Sequence, residues 1–335
     1  MTAIAGFSPV PRSSLRLLKR AWAFSPLLTL AGLACLALVP FFIVAGVMDP
    51  RIINGAPAWT KPLKFALSIT IFSATFVWLL TFVDEVGPGE RPSRRVRWIA
   101  GITGFALLVE MGLIAMQVAR NTTSHFNAAT LFDMAVFSIM GSLITGVSVC
   151  TLLLAIWLIR RRTLDPVFGW GLRLGVLLSV VGMMVAFLMT MPTASQLEAA
   201  QAGAGMPIIG AHSVGVADGG PGLPILGWST VGGDLRVAHF FGLHAMQVVP
   251  LIGGLLTFTA ARRRWTERGR LALVWTAGLG YLGLILLLTW QALRGQSIVA
   301  PDGLTLVVAG VLTAGVAAAV ALITWRAGAV HDQKQ

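Results

Sequence analysis

The sequence predicts an all-α fold, a polytopic transmembrane helical bundle of about eight spans, and three observations predict it. Of 335 residues, 56% are hydrophobic and only 11% are charged, and the mean hydropathy is +0.82. Runs of about 20 apolar residues recur along the chain, the length that a helix needs to cross the hydrocarbon layer. The charges stand in short clusters between those runs. A formal net charge of +12 distributed in this way marks membrane topology and argues against a nucleic-acid surface.

The first span, about 24–47, follows Arg12, Arg16, Lys19 and Arg20. Its apolar run to Met48 is too long for the core of a cleaved signal peptide, so it reads as a signal-anchor. The second, about 62–83, opens on Lys61-Pro62-Leu63-Lys64-Phe65 and places Lys61, Lys64 and Ser68 on one face. The third, about 98–119, carries Glu110 and Gln117 on a shared face, two turns apart. His125, Asn127 and Asp133 stand at the mouth of the fourth, about 134–158. The fifth covers about 167–192, and Arg173 just inside it is expected to snorkel to the basic face. The connection at about 193–235 is the single long one. It is rich in Gly and Pro, and its apolar patches Met206–Ile209 and Leu223–Leu226 favour a folded cap over a tether. The sixth span covers about 236–259 and the seventh about 270–291, which closes on Gln291 and Arg294. The eighth covers about 303–325. Cys35 and Cys150 lie within apolar spans at different depths and read as small buried hydrophobes, not as a disulfide.

Topology follows from the basic residues. The clusters Arg91–Arg97, Arg160–Arg162 and Arg262–Arg270 fall on the same side as both termini, while Arg51, Lys61, Lys64, Arg120, Arg236 and Arg294 fall on the other. The rule that basic loops stay inside puts both termini in the cytoplasm. An Ala-, Gly- and Arg-rich composition suggests a bacterial chain, hence the inner (plasma) membrane. The outward side holds His125, His212, His239 and His244; the fifth histidine, His331, is in the polar tail. A faint repeat is also present. Gln117-Val118-Ala119-Arg120 and Gln291-Ala292-Leu293-Arg294 stand at outward helix ends four spans apart, which points to a 4 + 4 duplication.

The chemistry concentrates between Gly227 and Gln247, where a glycine-rich loop runs into the sixth span. At 100° per residue Arg236, His239, His244 and Gln247 spread over one broad polar face, which must look into protein or water. His239 and His244 are about 140° apart, an angle that disfavours joint chelation of one small ion. An ionised carboxylate is costly in the membrane, so Glu110 is expected to be either protonated or paired with a cation, and Lys64 and Arg236 are the candidate partners. With Gln117, Gln291, Arg294 and His125 these groups make the walls of one outward pocket. Phosphate loops, the Gly-x-Ser-x-Gly elbow, His-Glu-x-x-His and Cys-x-x-Cys do not occur.

The stretches Asn54–Phe65, Gly227–His244 and Trp290–Gln296 together resemble an uncharacterised family of bacterial polytopic integral membrane proteins, which implies the fold but no activity. In architecture the chain is also similar to heme A synthase, with eight spans, cytoplasmic termini and a 4 + 4 arrangement. That resemblance implies heme-ligating histidines on even-numbered spans. The second and eighth spans here have none, so it extends at most to one heme, through His125 and either His239 or His244.

Three functional readings follow. In the first, His239 or His244 with His125 ligates a heme b or another redox cofactor, and Arg236, Lys64 and Arg294 pair with its propionates. In the second, the same cations with Lys61 bind a small anionic solute or lipid headgroup, as in a transporter or receptor. Glu110 then couples a proton, and Gln117, Gln247 and Gln291 contribute polar contacts. In the third, His239, His244, His212 and Asp234 hold a metal for a membrane-embedded enzyme.

Overall fold

The computed structural model describes residues 14–84, 90–161 and 164–332. The basic residues Arg12, Arg162 and Lys334 therefore lie outside the described residues, and so does the side chain of His331. Eight described helices are long and apolar enough to cross a membrane. These are α2 (Pro26–Met48), α3 (Thr60–Leu80), α4 (Arg94–Ala119), α5 (Leu131–Arg160), α6 (Pro166–Met189), α8 (Leu235–Phe258), α10 (Glu267–Leu293) and α11 (Gly303–Asp332). Short helices α1 (Ser14–Phe24), α7 (Ala194–Gln201) and α9 (Ala261–Arg264) lie between or before them. The protein is a helical multi-pass membrane bundle.

The helices start where the sequence offers a cap. The side chains of Thr130, Asp165, Asp234 and Thr266 accept hydrogen bonds from the first-turn backbone N–H groups of α5, α6, α8 and α10. On the arginine-rich side, arginines satisfy the orphan carbonyls at helix ends. Arg173 does not snorkel outward. It is buried, its Nε donates to Leu158 O at 3.0 Å, and its Nη2 bonds Arg161 O, so it closes the C-terminus of α5. Arg270 does the same for α8, with Nη1 3.1 Å from Leu256 O.

Helices α2, α3 and α4 pack against one another, and α5 lies on α4. The second half repeats this pattern with α6, α8 and α10 as the packed set and α11 on α10, and α5 joins the halves by packing on α6. One apolar core, including Phe42, Phe76, Leu80 and Ile114, fills the first set. Another, including Leu174, Val237, Val249 and Ile285, fills the second. The tightest pair is α6 with α8. A Cβ on Gly242 would stand 2.3 Å from Gly182 Cα, and one on Gly175 would stand 2.6 Å from Pro250 Cδ. Small residues let these backbones approach closely, which is how membrane helices gain contact without a hydrophobic driving force. Pro250 thus fills a glycine notch within an unbroken α8.

On the face opposite the arginines, the long connection is a folded cap. Strand β3 (Ser213–Val214) pairs antiparallel with β4 (Gly233–Asp234), directly before α8. The hairpin of β1 (Ile52–Ile53) and β2 (Ala56–Pro57) rises from the α2–α3 turn to meet the cap. The meeting point is Gly55 against Gly219, both at positive φ; a Cβ on Gly55 would lie 2.0 Å from Gly219 O. Gly233 is seated equally closely on Ala292 at the end of α10, and Ser297 Oγ donates to Ser229 O at 2.8 Å.

Candidate functional site

The cap is bound to the bundle by the same cations that the sequence singles out. Asp234 caps α8 and takes both Nε and Nη2 of Arg236. The Nη2 of Arg236 also donates to Gly227 O at 2.6 Å. One residue earlier in the cap, Leu226 O accepts from Lys64 Nζ at 2.9 Å. A cation from α3 and a cation from α8 therefore hold two successive carbonyls of the cap. Neither is the partner of Glu110, because each is already committed to the cap backbone.

Glu110 is 1% exposed, about two thirds of the way along α4, and neither carboxylate oxygen has a hydrogen-bond donor. The titratable group beside it is His125, whose Nε2 lies 3.6 Å from Oε1. Lys61 at the start of α3 is the cation whose field reaches the carboxylate. The loop after α4 brings His125 to this place. Ser124 Oγ lies 3.0 Å from its Nδ1, and Phe65 and Phe137 flank its ring at 5.6 and 6.5 Å between centroids.

Phe126, the next residue, has φ +64°, a conformation that is costly for a bulky side chain. The cap holds it there. Ile209 N donates to Phe126 O at 2.9 Å, and Ala128 N donates to Pro207 O at 2.8 Å. The Phe126 ring in turn packs edge-on against the ring of His212, with centroids 4.7 Å apart. His212 is paired with Asp218, Nδ1 to Oδ2 at 3.0 Å, and Asp218 also accepts from the backbone N–H of His212 and of Ser213. From bundle to cap the order is Glu110, His125, Phe126, His212, Asp218, with Lys61 alongside.

Electrostatics in the loops follows from this enclosure. Burial holds the His125 imidazole well below its usual range, and the charges of Lys61 and His212 lower it further. Burial also lowers His212, against the opposing effect of its bond to Asp218. Burial alone would raise Asp218, but the hydrogen bonds from His212 and Ser213 outweigh it and hold the carboxyl well below its ordinary value. The resting site thus favours two neutral imidazoles.

The remaining residues singled out in the sequence fall elsewhere. Arg294 is not a wall of this site; it pairs with Asp302 at 2.6 Å and donates to Thr305, locking α10 to α11. Gln117 donates to Asp133 at 2.9 Å, and Gln291 donates to Ser297 O at 2.9 Å, so both are committed to helix corners. Arg120 and Arg51 are ion-paired with Asp133 and Asp49. Gln247 reaches Thr75 on α3, leaving its Oε1 without a donor. His239 turns to α6, with Nδ1 2.8 Å from Gly182 O, and His244 packs on Phe240 at 4.4 Å between centroids. Among the described residues no group of three or more His, Cys, Asp or Glu could hold a metal ion, so His212, His239, His244 and Asp234 do not form the proposed metal set. Both cysteines are buried and free. Sequence reasoning did not find Asp218 or Phe126. An acid six residues after a loop histidine is the signal that would have found the first.

No family model, curated protein or solved structure matches this chain.

Proposed function

We propose that this protein binds, and as a transporter moves, a small anionic solute at the cap side of the bundle, with Glu110 and His125 carrying a coupled proton. The observation that carries this reading is the buried Glu110 carboxylate, unpartnered by any hydrogen bond and 3.6 Å from a neutral-leaning imidazole. A carboxyl group in that position is costly to keep ionised and alone, so the pair is poised to take up a proton when its surroundings change. An anion arriving beside Lys61 and His125 supplies such a change, because negative charge favours the protonated imidazole. By the rule for basic loops, the arginine-rich face is cytoplasmic, both termini lie there, and the cap faces away from the cytoplasm across the inner membrane. The test is a thermal-shift and binding screen of purified protein with phosphate, sulfate and short mono- and dicarboxylates at pH 5.5 and 7.5. Binding of at least one, tighter at the lower pH in the wild type but not in E110Q, supports the reading; no binding of any defeats it.

A second reading, one bound heme b, is favoured by a single contact. With Nδ1 of His239 donating to Gly182 O, its Nε2 carries the free lone pair, the form in which a histidine ligates a metal. Such a group would supply redox chemistry. An absorption spectrum of the purified protein tests it: no Soret band, before or after adding hemin, removes this reading.

A further inference from the structure

We propose that α4 and α2 form a binding site for one anionic glycerophospholipid at the arginine-rich end of the bundle. An open trough of about 620 Å³ runs there between Leu27 of α2 and one face of α4. Arg94 and Arg97 stand at its head, and Trp98, Gly101, Ile102 and Phe105 line the rest. At 100° per residue all six α4 positions fall within an arc of about 140°, so cations and apolar groups form one continuous stripe down the helix.

The stripe has the parts that a lipid needs. Gly101 has no atom within 4 Å of the place where a Cβ would stand, so the floor of the trough is open. Trp98 and Phe105, 59% and 56% exposed, are apolar walls for acyl chains, and Trp98 follows directly on Arg97, one turn from Arg94, at the level where aromatic rings favour the interface. The guanidiniums are free to act. Arg95, between them, is turned away, 3.9 Å from Asp84 and over the Trp157 ring. Elsewhere on this face Arg173 and Arg270 are spent on helix-end carbonyls. Arg94 and Arg97 make no side-chain hydrogen bond or ion pair among the described residues. Two unpaired guanidiniums one turn apart suit a phosphate diester, which offers several acceptor oxygens. A second trough, about 300 Å³ between α10 and α11, is lined by Gly283, Leu286, Trp290 and Leu312 among others and includes no cation, so it offers a headgroup nothing. Charge complementarity selects the α2–α4 trough and an anionic occupant.

Native mass spectrometry of the full chain in detergent, with phosphatidylglycerol or phosphatidylcholine added, tests this. Wild-type protein is expected to retain phosphatidylglycerol roughly tenfold better, given the attraction of basic residues for anionic lipid. R94Q/R97Q should erase that preference, and R262Q/R263Q on another basic loop should leave it intact. Gly101→Leu, which fills the trough and keeps the charges, should lower retention of the anionic lipid; it keeps the test open if the double arginine variant does not fold. Equal retention of the two lipids by wild type, an equal loss in R262Q/R263Q, or undiminished retention by Gly101→Leu would overturn the site.

Discussion

His125 Nε2 stands 3.6 Å from Glu110 Oε1, close enough for strong charge coupling and too far for a good hydrogen bond. The carboxylate comes from the cap-side half of α4, while the imidazole comes from the loop that the cap clamps. Any movement of the cap at Phe126 therefore changes the surroundings of a buried acid.

The loop histidines set the direction of the pH response. Both His125 and His212 have lowered proton affinity in the folded protein, so below about pH 6.5 the unfolded chain binds more protons than the native one. Their contribution to stability is complete above that pH and is lost as pH falls. Asp218, also lowered, adds a loss in the same direction at more acidic pH, as the carboxyl that holds His212 and Ser213 is protonated. The two histidines are expected to pull the melting temperature of ligand-free protein down between pH 7 and pH 5, each by up to about 1.4 kcal/mol per pH unit, partly offset by Glu110, whose protonation relieves an unpartnered buried charge. Replacing His125 by Gln should flatten that slope in a melting series across pH.

The α6–α8 contact is expected to tolerate no added carbon. Gly242→Ala puts a Cβ 2.3 Å from Gly182 Cα and should cost about 1–3 kcal/mol through overpacking. Gly146→Ala on α5, with open space around it, should be neutral or stabilise by up to about 1 kcal/mol. Thermal melts of the two variants side by side distinguish a specific clash from a general intolerance of helix substitutions.

The two helix corners should behave alike. Gln117 donates to Thr123 O and Gln291 to Ser297 O, each six residues ahead, and each is followed by a residue at positive φ, Asn121 and Gly295. Three residues after each glutamine, Arg120 and Arg294 pair with Asp133 and Asp302 at the start of the next helix. Q291L should cost about 1–3 kcal/mol by stranding a buried carbonyl, and Q117L a similar amount or more because it also abandons Asp133. Neither substitution should alter anion binding, since both residues lie outside the Glu110 cluster. A binding isotherm for each folded variant checks that separation.

Much of the architecture was legible in the sequence because the membrane imposes it. Long apolar runs, a Pro or Thr before them and arginines between them determine the eight helices, and the paired Gln-x-x-Arg corners announced the repeated neighbour pattern. The site was only half legible. Glu110, His125, Lys64, Arg236 and His212 stood out as charges or imidazoles that lipid would not accept. Their pairing did not, because it depends on tertiary detail with weak local signals. Glu110 meets His125 only because Phe126 adopts positive φ beneath the cap, and Lys64 and Arg236 are spent on Leu226 O and Gly227 O only because Gly55 and Gly219 let the cap settle. Arg294 misled for a plain reason: from its position alone, a cation at an outward helix end looks the same whether it faces a pocket or the first turn of the next helix.

The most direct test of the proposed chemistry is proton uptake on anion binding, measured in weakly buffered solution with protein in detergent. Wild-type protein is expected to bind at least one small anion, to take up a proton as it does so, and to tighten by as much as about tenfold per pH unit as pH falls through the range where His125 titrates. E110Q should remove the uptake and the pH dependence together. Anion binding that takes up no proton and is indifferent both to pH and to Glu110, or no anion binding at all, would contradict the account.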